Sequence, residues 1–287
     1  LFHLVESFLE SLKYMPVQRA LLACVLCGLS CSLLSVFIVL LRMPLMGVAM
    51  SHAAFAGAVL GMLAGVHPVL AGFVSCLIVA GILGPFSDRT RLTPENALGI
   101  LFSFLMGIAF LGLGILTRTK AGVLSLMWGN LMSITGRDLV LLSGITAVLM
   151  LFIVLFFKEI RAVLFHRRFA ASCGVPERLI YYGLLFMVGA VVALNLSTVG
   201  GLLIFALLMQ PGATALQLTY NLKLFFVIST LSGIGACVSG LLVSFYFDLP
   251  SGASVVLMAT AIFVVACIVS PKRRAVKQGR QYAQKRG

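Results

Sequence analysis

Charge is what this sequence has least of. Asp, Glu, Lys and Arg make up 10% of its 287 residues, where average proteins carry about 25%. Acids are scarcest, 8 against 21 Lys and Arg, and there is one tryptophan. The phosphate-cradling pattern G-x-x-x-x-G-K-[ST] is missing, as are H-E-x-x-H and G-x-S-x-G. The chain therefore lacks the means to hydrolyse ATP by itself, and it shows no protease or esterase signature. The 7 cysteines (Cys24, Cys27, Cys31, Cys76, Cys173, Cys237 and Cys267) are odd in number and scattered. They form no disulfide framework. No basic stripe with interleaved aromatics occurs, so the surplus of positive charge does not point to nucleic acid.

What is present is apolar mass. Hydrophobic residues are 61% of the chain, and mean hydropathy is +1.14. A soluble domain of this length leaves roughly a quarter of its unfolded surface wet and has no place to hide so much hydrocarbon. The expected class is an all-α polytopic integral membrane protein, because lipid satisfies no open backbone group. Nine segments reach the length of a bilayer span: 18–41, 44–65, 68–86, 97–116, 138–157, 179–195, 199–219, 223–246 and 252–270. Very short breaks, Val66-His67 and Leu196 to Thr198, separate two pairs of them. Either pair can contain a broken or tilted element, so the count is eight or nine. Residues 1–17 read as an amphipathic interfacial helix without a signal-peptide pattern. Residues 18–271 form one transmembrane domain, and 272–287 a basic tail.

Orientation follows from the basic residues, which accumulate on cytoplasmic loops. With the C-terminal tail inside, only Lys13, Arg19, Arg118, Lys120 and Arg137 of the 21 fall outside. The C-terminus is thus expected in the cytoplasm. Two long connections remain. Thr117 to Arg137 is apolar enough to lie in the interface, with Trp128 as an anchor. Lys158 to Arg178 reads as a short basic helix stopped by Gly174 and Pro176.

Few residues in the spans carry chemistry. His52, in GVAMSHAAFAG, is the only His, Lys, Arg, Asp or Glu deep within any span. Such residues are costly in lipid and mark function by default, and neutral imidazole is a common transition-metal ligand. The alternative is a histidine hydrogen-bonded to a neighbouring helix. Gly57, Gly61 and Gly65 form a G-x-x-x-G-x-x-x-G ridge, suited to close helix packing, which leaves the face with Ser51 and His52 to line a pathway. Gln210-Pro211-Gly212 is expected to interrupt a span, with Gln210 as a pathway candidate. Asn130, Asn195, Ser197, Thr198, Thr214 and Gln217 are further polar groups in or near the membrane. His67 and Asp248 sit at outer helix ends, where they would attract a divalent cation or merely cap helices. Cys24, Cys27 and Cys31 share a helical face, read as a soft-metal site or as small packing residues. His166 falls in the basic loop. No acid lies near the middle of a span, which argues against a proton- or sodium-driven carrier.

Four stretches in order carry a resemblance: Arg42 through SHAAFAG; ENALGILFS; RRFAASCGVPERL followed by STVGGLLIFALLMQPGATAL; and DLPSGASVVL closed by SPKRR. From Gln18 to Arg274 the chain resembles the membrane permeases of metal-type ATP-binding-cassette importers of manganese, zinc or iron. The resemblance implies a multi-pass protein of the bacterial inner (plasma) membrane and a second permease copy or a related permease. It also implies a cytoplasmic ATPase dimer and an external metal-binding protein. No cofactor is held permanently; the divalent metal is cargo, and ATP acts only through the partner. Arg167, Arg168, Phe169, Ala170, Ala171, Ser172, Cys173, Gly174 and Val175 are implied as the segment coupled to the ATPases.

One position departs from the family pattern. Where the family carries Asp one turn before the histidine, this chain has Val48. Either a partner permease supplies the carboxylate, or the cargo is a neutral or chelated species, or the chain is an engineered or atypical member. The leading reading remains inward transport of a divalent metal with His52 as a transient ligand. Because ligation needs neutral imidazole, uptake is expected to weaken below about pH 6.5. Competing readings are a permease for an organic or chelated-metal cargo, a secondary carrier and a structural scaffold.

Overall fold

The computed structural model describes residues 14–115, 134–165 and 167–270. The expected N-terminal amphipathic helix, Trp128, Asn130, His166 and the basic tail fall outside this set, as do the side chains of Arg167, Arg168 and Ser197. Every described element is helical: α1 (Met15–Leu40), α2 (Leu45–Ala64), α3 (Pro68–Thr90), α4 (Pro94–Ile115), α5 (Gly136–Leu155), α6 (Phe157–Phe165), α7 (Arg167–Ser172), α8 (Glu177–Val199), α9 (Gly201–Leu218), α10 (Leu222–Phe247) and α11 (Ser251–Val269).

Helix starts are chemically marked. Pro16 and Pro68 occupy the first turns of α1 and α3, where the missing N–H is no loss. Thr135 and Asp138 form a capping box at α5. The Asn221 side chain accepts from the Lys223 N–H at α10, 3.0 Å away. Among the described residues eight helices are long and apolar enough to cross a bilayer, while α9 is shorter. The Val66-His67 break is an ordinary turn between two full spans; the broken element is the α8–α9 junction.

The helices α1, α2 and α8 are mostly buried, whereas α4, α5 and α11 expose most of their surface. Helices α1 and α10 pack antiparallel through small residues. A methyl added at Gly28 would lie 3.0 Å from Ile234 Cα, and Ser229 donates to the Ser32 carbonyl at 2.8 Å. Phe37 and Phe226 meet edge-on at the end where α1 stops and α10 starts, with centroids 5.5 Å apart. The starts of α2 and α8 lie at this end too, since the Tyr181 hydroxyl reaches Met43 Sδ at 3.7 Å. So do the ends of α9 and α11, tied by Ser270 Oγ donating to the Gln217 carbonyl at 2.8 Å. The basic loops thus gather at one end of the bundle, and α11 leaves from it.

Three local expectations are corrected. Helix α9 runs unbroken through Pro211. The Gly212 N–H donates to Ser35 Oγ of α1 at 2.8 Å, so a neighbouring helix serves a backbone group beside the proline. The Lys158 to Arg178 connection holds two helices, α6 and α7, not one. Helix α3 continues past 86 to Thr90, with Pro85 inside it.

Candidate functional site

The glycine ridge of α2 does two jobs. A Cβ on Gly57 would lie 2.6 Å from the Ala71 carbonyl oxygen and 2.9 Å from Gly72 Cα, so α2 and α3 approach to backbone contact. Gly65 instead ends α2 at φ 70°. With that face committed to α3, two others remain.

Ser51 and His52 do not share a free face. Ser51 is buried and donates to the Gly47 carbonyl at 2.9 Å. Its side points to α9: a Cβ at Gly201 would stand 3.9 Å from Ser51 Cβ, and one at Gly47 would stand 3.1 Å from Leu208 Cδ1. His52 turns toward α4 and meets Phe102 edge-on, centroids 5.1 Å apart. The residue is half-buried, yet its Nδ1 is buried and has no hydrogen-bond partner. The expected bond to a neighbouring helix is not made through that atom. A buried imidazole nitrogen without a partner calls for a donor or a ligand.

Val48 lies one turn below His52 on the same stripe and is also half-buried. One turn further, Leu45 borders an open groove of about 630 Å³ with Glu95, Asn96, Gly99, Ile100 and Ser103. Sequence reasoning passed over Glu95, Asn96 and Ser103. Their signal was present in ENALGILFS, which puts Asn96 and Ser103 two turns apart on one helix face. The α2–α4 seam therefore carries an imidazole midway and a carboxylate at the end with the basic loops.

The other candidates are separated from His52. Gln210 donates through Nε2 to Thr260 Oγ1 of α11 at 2.9 Å, and its buried Oε1 has no partner. It sits nine residues along α9 from the Gly201–Ser51 contact, roughly 13 Å at 1.5 Å per residue. His67 is exposed at the start of α3 and makes no side-chain cap. Asp248 is exposed at the end of α10 with φ 51°. Both lie at the end opposite the basic loops. Among the described residues no group of three His, Cys, Asp or Glu is placed to hold a metal. Cys27 and Cys31 sulfurs are 3.9 Å apart in a buried pair facing the α10 side that carries Cys237.

The buried α8–α9 junction is the feature that sequence reasoning did not assemble. A single buried residue, Gly200, joins the helices at φ 90°, ψ 152°. Gly201 abuts Ser51, the seventh residue of the 20-residue α2. The turn therefore lies deep in the bundle and not at its surface.

At the end with the basic loops, α7 closes with paired bonds. The Val175 N–H donates to the Ala170 carbonyl and the Gly174 N–H to the Ala171 carbonyl, both at 3.1 Å. Gly174 takes φ 77°, the left-handed residue such a cap requires. Ala170 is buried, and Phe169, Ala171, Ser172 and Cys173 are exposed. A short helix is thus anchored on one side and open on the other.

This arrangement coincides with a family. The profile of the ABC 3 transport family matches residues 13–270. The chain belongs to the ABC 3 transport family. Among the relatives of this family member is "Manganese transport system membrane protein MntC" of Halalkalibacterium halodurans. It is 32% identical over 94% of this chain and 93% of its own. "Chelated iron transport system membrane protein YfeD" of Yersinia pestis is 32% identical over 93% of this chain and 89% of its own. A solved structure, "PsaBC from Streptococcus pneumoniae in complex with Fab", superposes with a TM-score of 0.85 at 27% identity. It covers 96% of this chain and 99% of that one. The chain is a multi-pass membrane protein of the ABC permease type.

Proposed function

We propose that this chain is the permease subunit of an ABC importer that moves a divalent transition metal, Mn²⁺, Zn²⁺ or Fe²⁺, into the cytoplasm by alternating access. The observation that carries this reading is the match along more than nine-tenths of both chains to a permease named for manganese transport. The permease is not itself an enzyme. A cytoplasmic ATPase dimer supplies the energy, docking on the open side of α7 and the residues through Val175. An external metal-binding protein delivers the ion near His67 and Asp248. A second permease copy or a related permease completes the conduit. The protein resides in the bacterial plasma membrane with its C-terminus inside.

In this mechanism His52 takes the ion transiently, and one imidazole with a few neutral oxygens binds loosely enough to release it. Glu95 receives it at the inner groove. Rigid-body motion of the ATPases reaches the spans through α6 and α7. The test is accumulation of radioactive Mn²⁺ in vesicles holding the permease, its ATPase and the binding protein. Uptake is expected only with ATP and is abolished by a strong extravesicular chelator. Uptake without the ATPase, or cargo transport that survives the chelator, overturns the reading.

A further inference from the structure

The mechanism so far leaves the buried α8–α9 junction unused. Asn195 sits in the last turns of α8 and is fully buried. Its Nδ2 donates to the Val191 carbonyl at 2.8 Å. That bond fixes the amide orientation, because a carbonyl accepts only from the NH₂ end. Oδ1 is left over, buried and with no partner. A buried carbonyl oxygen without a donor is rare in native proteins and calls for an explanation. The partner cannot be another protein surface, since the residue has no exposure in this chain. It must be small enough to enter the bundle.

The surroundings identify its kind. The junction interrupts two helices at membrane depth, and non-helical backbone there is tolerated where it is buried in protein or lines a cavity. Thr198 Oγ1 donates to the Asn195 backbone carbonyl at 3.0 Å, and the Gly200 N–H donates to that of Leu196 at 3.2 Å. The carbonyls of the final turn beyond Leu196 have no amide of α8 to receive. This end of a helix carries partial negative charge. Gly201 brings the junction against Ser51, at the depth of His52 and on the neighbouring side of α2. No carboxylate lies at this depth among the described residues. The groups on hand are neutral oxygens, a donor set that suits hard divalent ions.

We infer that the Asn195 side-chain oxygen, with last-turn carbonyls of α8, is a second contact for the divalent cation on its way past α2, and that this contact biases the permease toward Mn²⁺ over Zn²⁺. The inference rests on the metal-import reading above. An oxygen contact offsets the lack of a carboxylate at Val48 without placing a charge in the bundle.

The experiment compares wild type with Asn195→Leu, Asn195→Asp and His52→Ala, each reconstituted with its ATPase and binding protein. Mn²⁺ and Zn²⁺ uptake are measured separately, together with ATPase rate and melting temperature. Asn195→Leu is expected to lower kcat/KM for Mn²⁺ at least tenfold, with a smaller loss for Zn²⁺. Asn195→Asp keeps the shape and adds charge, so it is expected to lower the KM for Mn²⁺. That shift is a readout that a purely structural role would not move. Wild-type KM and metal preference in Asn195→Asp, with uptake still lost in His52→Ala, would overturn this inference and leave the metal-import reading standing. Absence of metal uptake by the wild type would overturn both.

Discussion

His52 and Val48 lie one helical turn apart on α2, and in the proposed path the imidazole is the ligand while Val48 supplies none. The imidazole is half-buried with a free Nδ1, and the position below it is apolar. Charges about 4 Å apart interact by about 4 kcal/mol at an effective dielectric constant near 20. The ion's double charge increases that gain, and desolvation of a new carboxylate removes part of it. Val48→Asp is therefore expected to lower the KM for Mn²⁺ about tenfold, and His52→Ala to abolish uptake. If both variants transport like wild type, the ion does not use the α2–α4 seam. Uptake by the wild type is expected to fall in acid, where the imidazole protonates and ceases to be a ligand. A profile with no acid limb down to the pH at which the protein unfolds counts against ligation. His52 was legible because charge is scarce in this chain. The shared face with Ser51 was a misreading, since adjacent helical residues point about 100° apart. Asn195 was visible only as a polar residue near a span end. Its significance depends on the depth of the junction, which only the approach of Gly201 to Ser51 reveals.

At the scale of elements, α7 is held by one glycine. Gly174 adopts φ 77° with no atom within 4 Å of an added Cβ, so the obstacle to substitution is backbone conformation, not space. A β-branched residue in the left-handed region costs upwards of about 1 kcal/mol. Gly174→Val is expected to loosen the α7 end and reduce co-purification of the ATPase severalfold. The melting temperature of the membrane helices should stay unchanged, and an equal loss in both measurements would place Gly174 in the fold and not in coupling. The sequence marked this stop correctly, because Gly and Pro after a helix are local signals. Pro211 was marked by the same local logic and did not break α9. The rescue comes from Ser35, far away in sequence, and no local rule contains it.

The whole molecule segregates its charge. Arg42, Arg89, Arg91, Lys158, Arg161, Arg178 and Lys223 belong to connections or helix ends that the packing places together. Of the 7 cysteines, only Cys173 is exposed, at this end. A membrane-impermeant maleimide is expected to label Cys173 in inverted vesicles and not in right-side-out ones; the reverse pattern would invert the proposed topology. Span positions and charge partition were legible because water and lipid differ sharply in polarity. The centrality of α1, α2 and α8 was not. Lipid and protein interior are equally apolar, so a helix facing either carries the same residues.

The deep α8–α9 junction also bears on how the chain is built into a bilayer. A hairpin tip carrying Asn195, Thr198 and the open backbone around Gly200 is a poor solute for hydrocarbon. The same tip is well housed against α2. Synthesis from the N-terminus places α2 in the membrane first, so the receiving surface exists before the hairpin emerges. The order of the helices along the chain is thus also a workable order of assembly.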